Sequence, residues 1–194
     1  TGGTVSATNV ADNWLAAWYD HGSSKVLAAF GTNITTSSSI INIDSSPVSA
    51  PYVSFPWIAY TGANGAIMVA LISNENTVSA TYDFGIGSEP HLYTIEGAMN
   101  KIVVLTYGSG INGACIRLQS IQYPTFSDPI CWTEGVSLVT KPSSLVLTNG
   151  TIIVAYLGLT PLDMYVKTQQ FNMQCGDGVL GPNEECDSEL NCYA

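Results

Sequence analysis

Short apolar runs separated by turn-forming residues recur along most of this chain. Four segments share one order, in which a short strand rich in β-branched or aromatic residues is followed by a turn and a second apolar strand; they are 16–30, 58–72, 103–121 and 153–171. The turns contain Gly, Asn, Ser or Pro. This order is typical of β-hairpins, so the sequence predicts four of them.

Further strand-like segments flank the hairpins. Three hairpins are preceded by a segment with Pro51, Pro90 or Pro142, and proline suits the first residue of a strand, where its missing N–H does no harm. Other strand candidates follow the hairpins, at 39–44, 77–84 and 129–133. Each unit is therefore expected to contain four strands, and the units recur at a period of about 42 to 50 residues.

Four-stranded units at this period resemble the blades of a β-propeller, of no particular family, over about residues 4–172. The resemblance implies an all-β domain, 1–172, built from four repeated four-stranded units. A β-sandwich with Greek-key connections is the alternative fold.

The character of the sequence changes after residue 172, where cysteines, acidic residues and turn residues predominate. This run resembles the start of the myxococcal-type cysteine-rich repeat, and the matching residues are Cys175, Gly176, Asp177, Gly178, Glu185, Cys186 and Asp187. The pattern departs from that family at 188–191. The resemblance implies a short disulfide-rich arm, 173–194, of a kind found in surface proteins and without catalytic activity.

The cysteines fall into two groups. Cys115 and Cys131 lie symmetrically about residue 123, which predicts that they face each other across a hairpin and form a disulfide; two buried thiols are the alternative. Cys175, Cys186 and Cys192 cannot all pair with one another. One of them is left for an intermolecular bond, for Cys115 or Cys131 in another pairing, or for residues beyond this chain.

Two Asn-x-Ser/Thr sequons, at Asn33 and Asn149, agree with disulfides in indicating an oxidising secretory route. The chain opens Thr1-Gly2-Gly3 and shows no signal peptide, as expected of a processed chain or an excised piece. We therefore expect a glycoprotein that is extracellular or at the cell surface.

Charge is scarce: only 10% of residues are charged, against about 25% in typical globular proteins, while 46% are hydrophobic. The net charge of −10 argues against binding nucleic-acid phosphates. No apolar run approaches the roughly 20 residues that span a bilayer, so no membrane insertion is expected. We expect neighbouring subunits or glycans to cover the apolar surface.

No catalytic set is evident in the sequence. Arg117 is the sole arginine, which argues against a sialidase site, and His21 and His91 are the only histidines. The candidate carboxylates, at residues Asp12, Asp20, Asp83, Glu89, Glu96, Asp128 and Asp163, have no spacing that pairs them. We expect no enzyme activity, no cofactor and no metal site.

Two functions fit these features. The first is a non-catalytic structural subunit of a surface filament, appendage or coat, whose partners are copies of itself joined head to tail, or other surface proteins. The alternative is a secreted carbohydrate-binding, lectin-like propeller module, in which Trp14, Trp18, Trp57 or Trp132 would stack on sugar rings. Aromatic residues in strands are more often core, and Trp14 and Trp57 hold matching positions before their hairpins.

Overall fold

The computed structural model describes residues 5–10, 12–32, 40–44, 49–73, 77–96, 101–109, 113–120, 125–132, 140–147, 151–157 and 164–170. All regular elements in these ranges are β-strands, and no helix of membrane-spanning length occurs among them. The chain divides into two compact units, Thr1–Leu92 and Tyr93–Ala194. The expected boundary between residues 172 and 173 lies outside the described residues.

The first unit begins with a four-stranded antiparallel sheet of sequential strands, β1 (Val5–Val10), β2 (Asn13–Asp20), β3 (Lys25–Thr32) and β4 (Ile40–Asp44). Three more strands follow, β5 (Tyr52–Ser54), β6 (Trp57–Thr61) and β7 (Ala66–Ile72), and they pair in the same antiparallel manner. The long strand β8 (Val78–Glu96) pairs with β7 through its first half.

The core of the first unit lies between these two sheets. Alternate residues of β2 and β3 point inward, namely Leu15, Ala17, Val26, Ala28 and Phe30. They share one cluster with Ile58, Tyr60, Ala70 and Ile72 from the second sheet. The two-residue period of the sequence produces this arrangement, because successive side chains of a strand point to opposite faces.

Strand β6 differs from β2 because all five of its residues are buried. Strands buried on both faces carry continuous apolar runs, which is what the segment around Ile58 shows. The β6–β7 turn closes through a hydrogen bond from the Gly62 N–H to the Ala66 carbonyl, 2.8 Å. Gly65 supplies the positive φ of 74° that this turn requires.

The second unit contains the end of β8, then β9 (Lys101–Ser109), β10 (Gly113–Ser120) and β11 (Ile130–Trp132) in one antiparallel series. A three-stranded sheet follows, made of β12 (Thr140–Val146), β13 (Thr151–Leu157) and β14 (Met164–Gln170). Its core joins Val104, Ala114 and Ile116 to Ile152, Val154 and Tyr156. Inside this unit the Thr106 hydroxyl donates a buried 2.8 Å hydrogen bond to the Ser144 hydroxyl.

The all-β class is confirmed, and the four predicted hairpins are present as β2–β3, β6–β7, β9–β10 and β13–β14. The placement of the prolines differs from expectation. Pro90 lies inside β8, so two predicted strands form one, and Pro142 lies inside β12. A register shift between Thr140 and Ser143 accommodates Pro142, since a bulge removes the need for its missing N–H.

Candidate binding surfaces

The three-stranded sheet of the second unit turns an apolar face outward. The apolar residues of this β12–β14 outer face are Leu145, Ile153, Ala155, Leu157, Met164 and Val166, and the polar residues Ser143, Thr151 and Thr168 also lie at outward positions. Met164 is 70% exposed, Val166 55% and Leu145 53%. Strand β13 explains the arrangement, because its buried residues alternate with these outward ones while both sets are apolar.

The β12–β14 outer face is continuous across the strands. Leu145 pairs with Ile153, Ala155 with Val166, and Leu157 with Met164. Directly opposed residues hold their Cβ atoms about 4.5 to 5.5 Å apart, so these side chains form one patch. No charged side chain is among the residues that define it. A contiguous exposed apolar patch is the usual mark of an interaction site.

The first unit has a second exposed apolar face, on the side of its first sheet opposite the core. The apolar residues of this β1–β4 outer face are Val5, Ala7, Trp14, Ala16, Trp18, Leu27, Ala29 and Ile40, and the polar residues Asn9, Asp20, Lys25 and Asn42 also lie at outward positions. Val5 and Ile40 are each 65% exposed, and the two tryptophans are half-buried. Trp14 packs across Gly31, where an added Cβ would come within 2.6 Å of the indole ring.

A smaller aromatic surface is formed by Tyr52 on β5 and His91 on β8. Their ring centroids are 3.9 Å apart, and Tyr52 remains 38% exposed. Burial lowers the pKa of His91, an effect that nearby Glu89 partly opposes, so the imidazole is neutral at pH 7. Glu89 has a positive φ of 47°, an unusual backbone conformation for a non-glycine residue. The Tyr52–His91 pair is therefore a partly exposed aromatic surface near an acidic side chain.

Asp44 and Arg117 have structural partners. Asp44 accepts a hydrogen bond from the Tyr60 hydroxyl, and burial together with this carboxylate raises the pKa of Tyr60. The sole arginine, Arg117, donates to the Ser127 carbonyl at 2.8 Å and to the Tyr107 hydroxyl at 3.2 Å. Arg117 therefore holds the connection that leads from β10 to β11.

Two candidate carboxylates stabilise turns. Asp20 accepts hydrogen bonds from the N–H groups of Gly22 and Ser23 and from the Ser23 hydroxyl, and these bonds lower the pKa of Asp20. Asp83 accepts from the Gly85 N–H at 2.8 Å. Within the described ranges, no three His, Cys, Asp or Glu side chains are grouped so that they could hold a metal ion.

Cys115 and Cys131, which are opposed residues of β10 and β11, form the predicted disulfide. The other predicted site residues lie outside the described residues: Cys175, Cys186, Cys192, Asn33 and Asn149. Trp57 is buried, as a core residue should be, and Trp132 packs against the core of the second unit. Trp14, its expected counterpart, lies on the β1–β4 outer face instead.

Both outer faces and the Tyr52–His91 pair escaped prediction from the sequence. The signal for the outer faces was present in β13, where both alternating sets of residues are largely apolar although only one set is buried. Nothing in the sequence pattern pointed to the aromatic pair, because 38 residues separate Tyr52 from His91. The only hint was that a proline precedes each of them directly.

Comparison with known proteins shows similarity in structure only. No family model matches the sequence, and no curated protein matches it. A structure of a triple arginine-to-alanine mutant of AofleA from Arthrobotrys oligospora aligns with a TM-score of 0.57 at 7% identity, over 87% of this chain and 54% of that one. This chain thus spans about half the length of that protein.

A subtype N10 neuraminidase-like protein of A/little yellow-shouldered bat/Guatemala/060/2010 aligns with a TM-score of 0.45 at 11% identity, over 84% of this chain and 57% of that one. At such identities a structural likeness is informative about fold and not about activity. The comparison with AofleA therefore shows that the chain shares an all-β fold with that protein.

Proposed function

We propose that this chain is a non-catalytic extracellular structural protein that assembles with copies of itself through its exposed apolar sheet faces. The observation that supports the proposal is the β12–β14 outer face, where Met164 and Val166 on β14 and Leu145 on β12 are all more than half exposed on the same side of the sheet. Covering such side chains removes apolar area from water at a gain of roughly 25 cal/mol per Å².

The remaining features of the proposal agree with this role. The Cys115–Cys131 disulfide suits an oxidising compartment, and the sequons at Asn33 and Asn149 suit a glycosylated subunit of a filament, appendage or coat. We further propose that the strands form propeller-like repeats in 1–172 and that 173–194 is a cysteine-rich arm. Arg117 is committed to internal hydrogen bonds, so it is poorly suited to gripping a substrate carboxylate.

Light scattering coupled to gel filtration tests the proposal on the full, deglycosylated chain. The wild type should assemble with rising concentration, and Val166→Lys should weaken assembly at least tenfold, because a lysine would bring an unpaired charge into the contact. Ile86→Lys is the matched control, since Ile86 is 73% exposed on β8 and belongs to neither outer face. A wild type that stays monomeric at all concentrations would contradict the proposal.

Carbohydrate binding at the Tyr52–His91 pair is a second candidate function. This candidate is favoured by the exposed ring of Tyr52, which contacts His91, because sugars stack on aromatic faces. The nearby acid Glu89 also favours it, because sugar hydroxyls donate hydrogen bonds to carboxylates. A glycan array of the wild type should then show a saturable ligand. Tyr52→Ala should abolish that binding, while Tyr52→Phe, which keeps the ring, should retain most of it. Equal binding by wild type and Tyr52→Ala would exclude this site.

A further inference from the structure

We infer that the β12–β14 outer face of one copy of this chain binds the β1–β4 outer face of a second copy, head to tail. The inference rests on the proposed self-assembly and identifies the surface that the first face meets. It follows from the way in which the sheets pack inside each unit.

The first strand of every hairpin contains a small residue directly followed by an aromatic one. The four pairs are Ala17-Trp18 on β2, Ala59-Tyr60 on β6, Thr106-Tyr107 on β9 and Ala155-Tyr156 on β13. Neighbouring residues of a strand point to opposite faces. Each strand therefore presents a small side chain on one face of its sheet and an aromatic side chain on the other.

Both units use these faces in the same order. In the first unit, Ala17 of the earlier sheet and Tyr60 of the later sheet belong to one core cluster. In the second unit, Thr106 bonds to Ser144 of the later sheet, whose Tyr156 packs in the core that also holds Val104 of β9. The small-residue face of the earlier sheet thus packs against the aromatic face of the later one.

Two of the eight positions stand apart in their burial. The aromatic residues of β6, β9 and β13 are 1 to 3% exposed, whereas Trp18 is only half-buried. The small residues of β2, β6 and β9 are fully buried, whereas Ala155 is only half-buried. Trp18 lies on the β1–β4 outer face near the β2–β3 turn, and Ala155 lies in the middle strand of the β12–β14 outer face. The chain thus exposes one aromatic face and one small-residue face, the two halves of the contact that it uses internally.

The two outer faces also match in chemistry. Trp18 lies between Val5 and Leu27 across the strands, and Ala155 lies beside Val166. An aromatic anchor flanked by aliphatic side chains would meet an alanine that lies between Ser143 and Val166, and aromatic anchors are typical of the energetic centres of protein interfaces. The charged residues at the described outward positions are Asp20 and Lys25, which oppose each other within the β1–β4 outer face, so the β12–β14 outer face places no charge against them.

Because the two faces differ, the contact is heterologous, which makes it testable by mixing variants. The double variant Val5→Lys/Ile40→Lys blocks the aromatic face and leaves the other intact, whereas Val166→Lys does the reverse. Each variant alone should be monomeric in light scattering, with an affinity for copies of itself at least tenfold below the self-association affinity of the wild type. Mixed in equal amounts, they should form a dimer and stop there, since each dimer keeps only blocked faces. Circular dichroism checks that all variants remain folded, and Ile86→Lys should assemble like the wild type.

The results of these experiments distinguish a failure of the head-to-tail contact from a failure of self-assembly itself. A wild type that remains monomeric overturns both. A wild type that assembles while Val5→Lys/Ile40→Lys assembles equally well overturns only the head-to-tail contact, because two β12–β14 outer faces would then be meeting each other. The head-to-tail contact is also overturned if the wild type assembles while the two variants are monomeric and remain monomeric when mixed.

Discussion

The β5–β7 sheet of the first unit and the β12–β14 sheet of the second are built from similar sequences but differ in exposure. Strands β6 and β13 both lack charged residues, and both place a buried tyrosine, Tyr60 or Tyr156, after an alanine. Ala59 is fully buried, whereas Ala155 is half-buried beside the exposed Val166. An apolar pattern on both faces of a strand thus indicates that it needs two packing partners, and of these two strands β6 alone has both faces buried within the chain.

The largest effect should come from placing a charge at these two alanines. Ala59→Asp should destabilise the protein by at least about 4 kcal/mol, because an unpaired carboxylate would be buried. Ala155→Asp should cost less than about 1 kcal/mol in dilute, monomeric protein, since water can reach the carboxylate. Urea unfolding at low protein concentration measures both losses of stability. Equal losses from the two substitutions would show that the β12–β14 outer face is buried within a single chain.

A second prediction concerns the disulfide, which lies in the second unit. Replacing Cys115 and Cys131 by alanine releases a closed loop of 16 residues, and it should lower stability by roughly 3 kcal/mol. The loss should fall on the second unit, which hydrogen exchange can resolve strand by strand. Equal loss of protection in β2 and β3 would mean that the two units unfold together.

A smaller effect is expected on the β1–β4 outer face. Gly31→Ala should destabilise by about 1 to 3 kcal/mol, because the added methyl would overlap the Trp14 ring. Trp14→Leu in the same chain should restore part of the loss, since the smaller side chain makes room. If Gly31→Ala is as stable as the wild type, Trp14 can move off the glycine at no cost.

The smallest effect concerns pH. The pKa of Tyr60 is raised in the folded state, so protonated Tyr60 contributes its full stabilisation of the fold below pH 10, the ordinary pKa of tyrosine. That contribution is lost as the pH rises further. Stability should fall by up to about 1.4 kcal/mol per pH unit in that range. Tyr60→Phe should flatten this slope, which unfolding midpoints at several alkaline pH values would reveal.

Much of the fold could be predicted from the sequence because hairpins are local. Glycine, asparagine and proline at the turns, with alternation on either side, were sufficient to predict β2–β3 and the three hairpins after it. The continuity of β8 through Pro90 could not be predicted, since a proline usually marks the start of a strand. The repeat of four equal units stays a prediction, as the last sheet has three described strands.

The binding surfaces were less predictable, and the reason is physical. Ile152 and Ile153 look alike in a sequence, although Ile152 faces the core and Ile153 faces outward. Only the position of the neighbouring sheet distinguishes them. The Tyr52–His91 contact joins residues far apart in the chain, and such contacts have no local signature.

The scarcity of charge on the outer faces determines how their association would respond to conditions. Because the charged residues at the described outward positions are one opposed pair, Asp20 and Lys25, within a single face, sodium chloride at moderate concentration should leave the association nearly unchanged. Sulfate should strengthen it, as excluded salts favour apolar burial, and cooling should weaken it, because the hydrophobic driving force declines at low temperature. Chilling would then release subunits that rewarming brings together again.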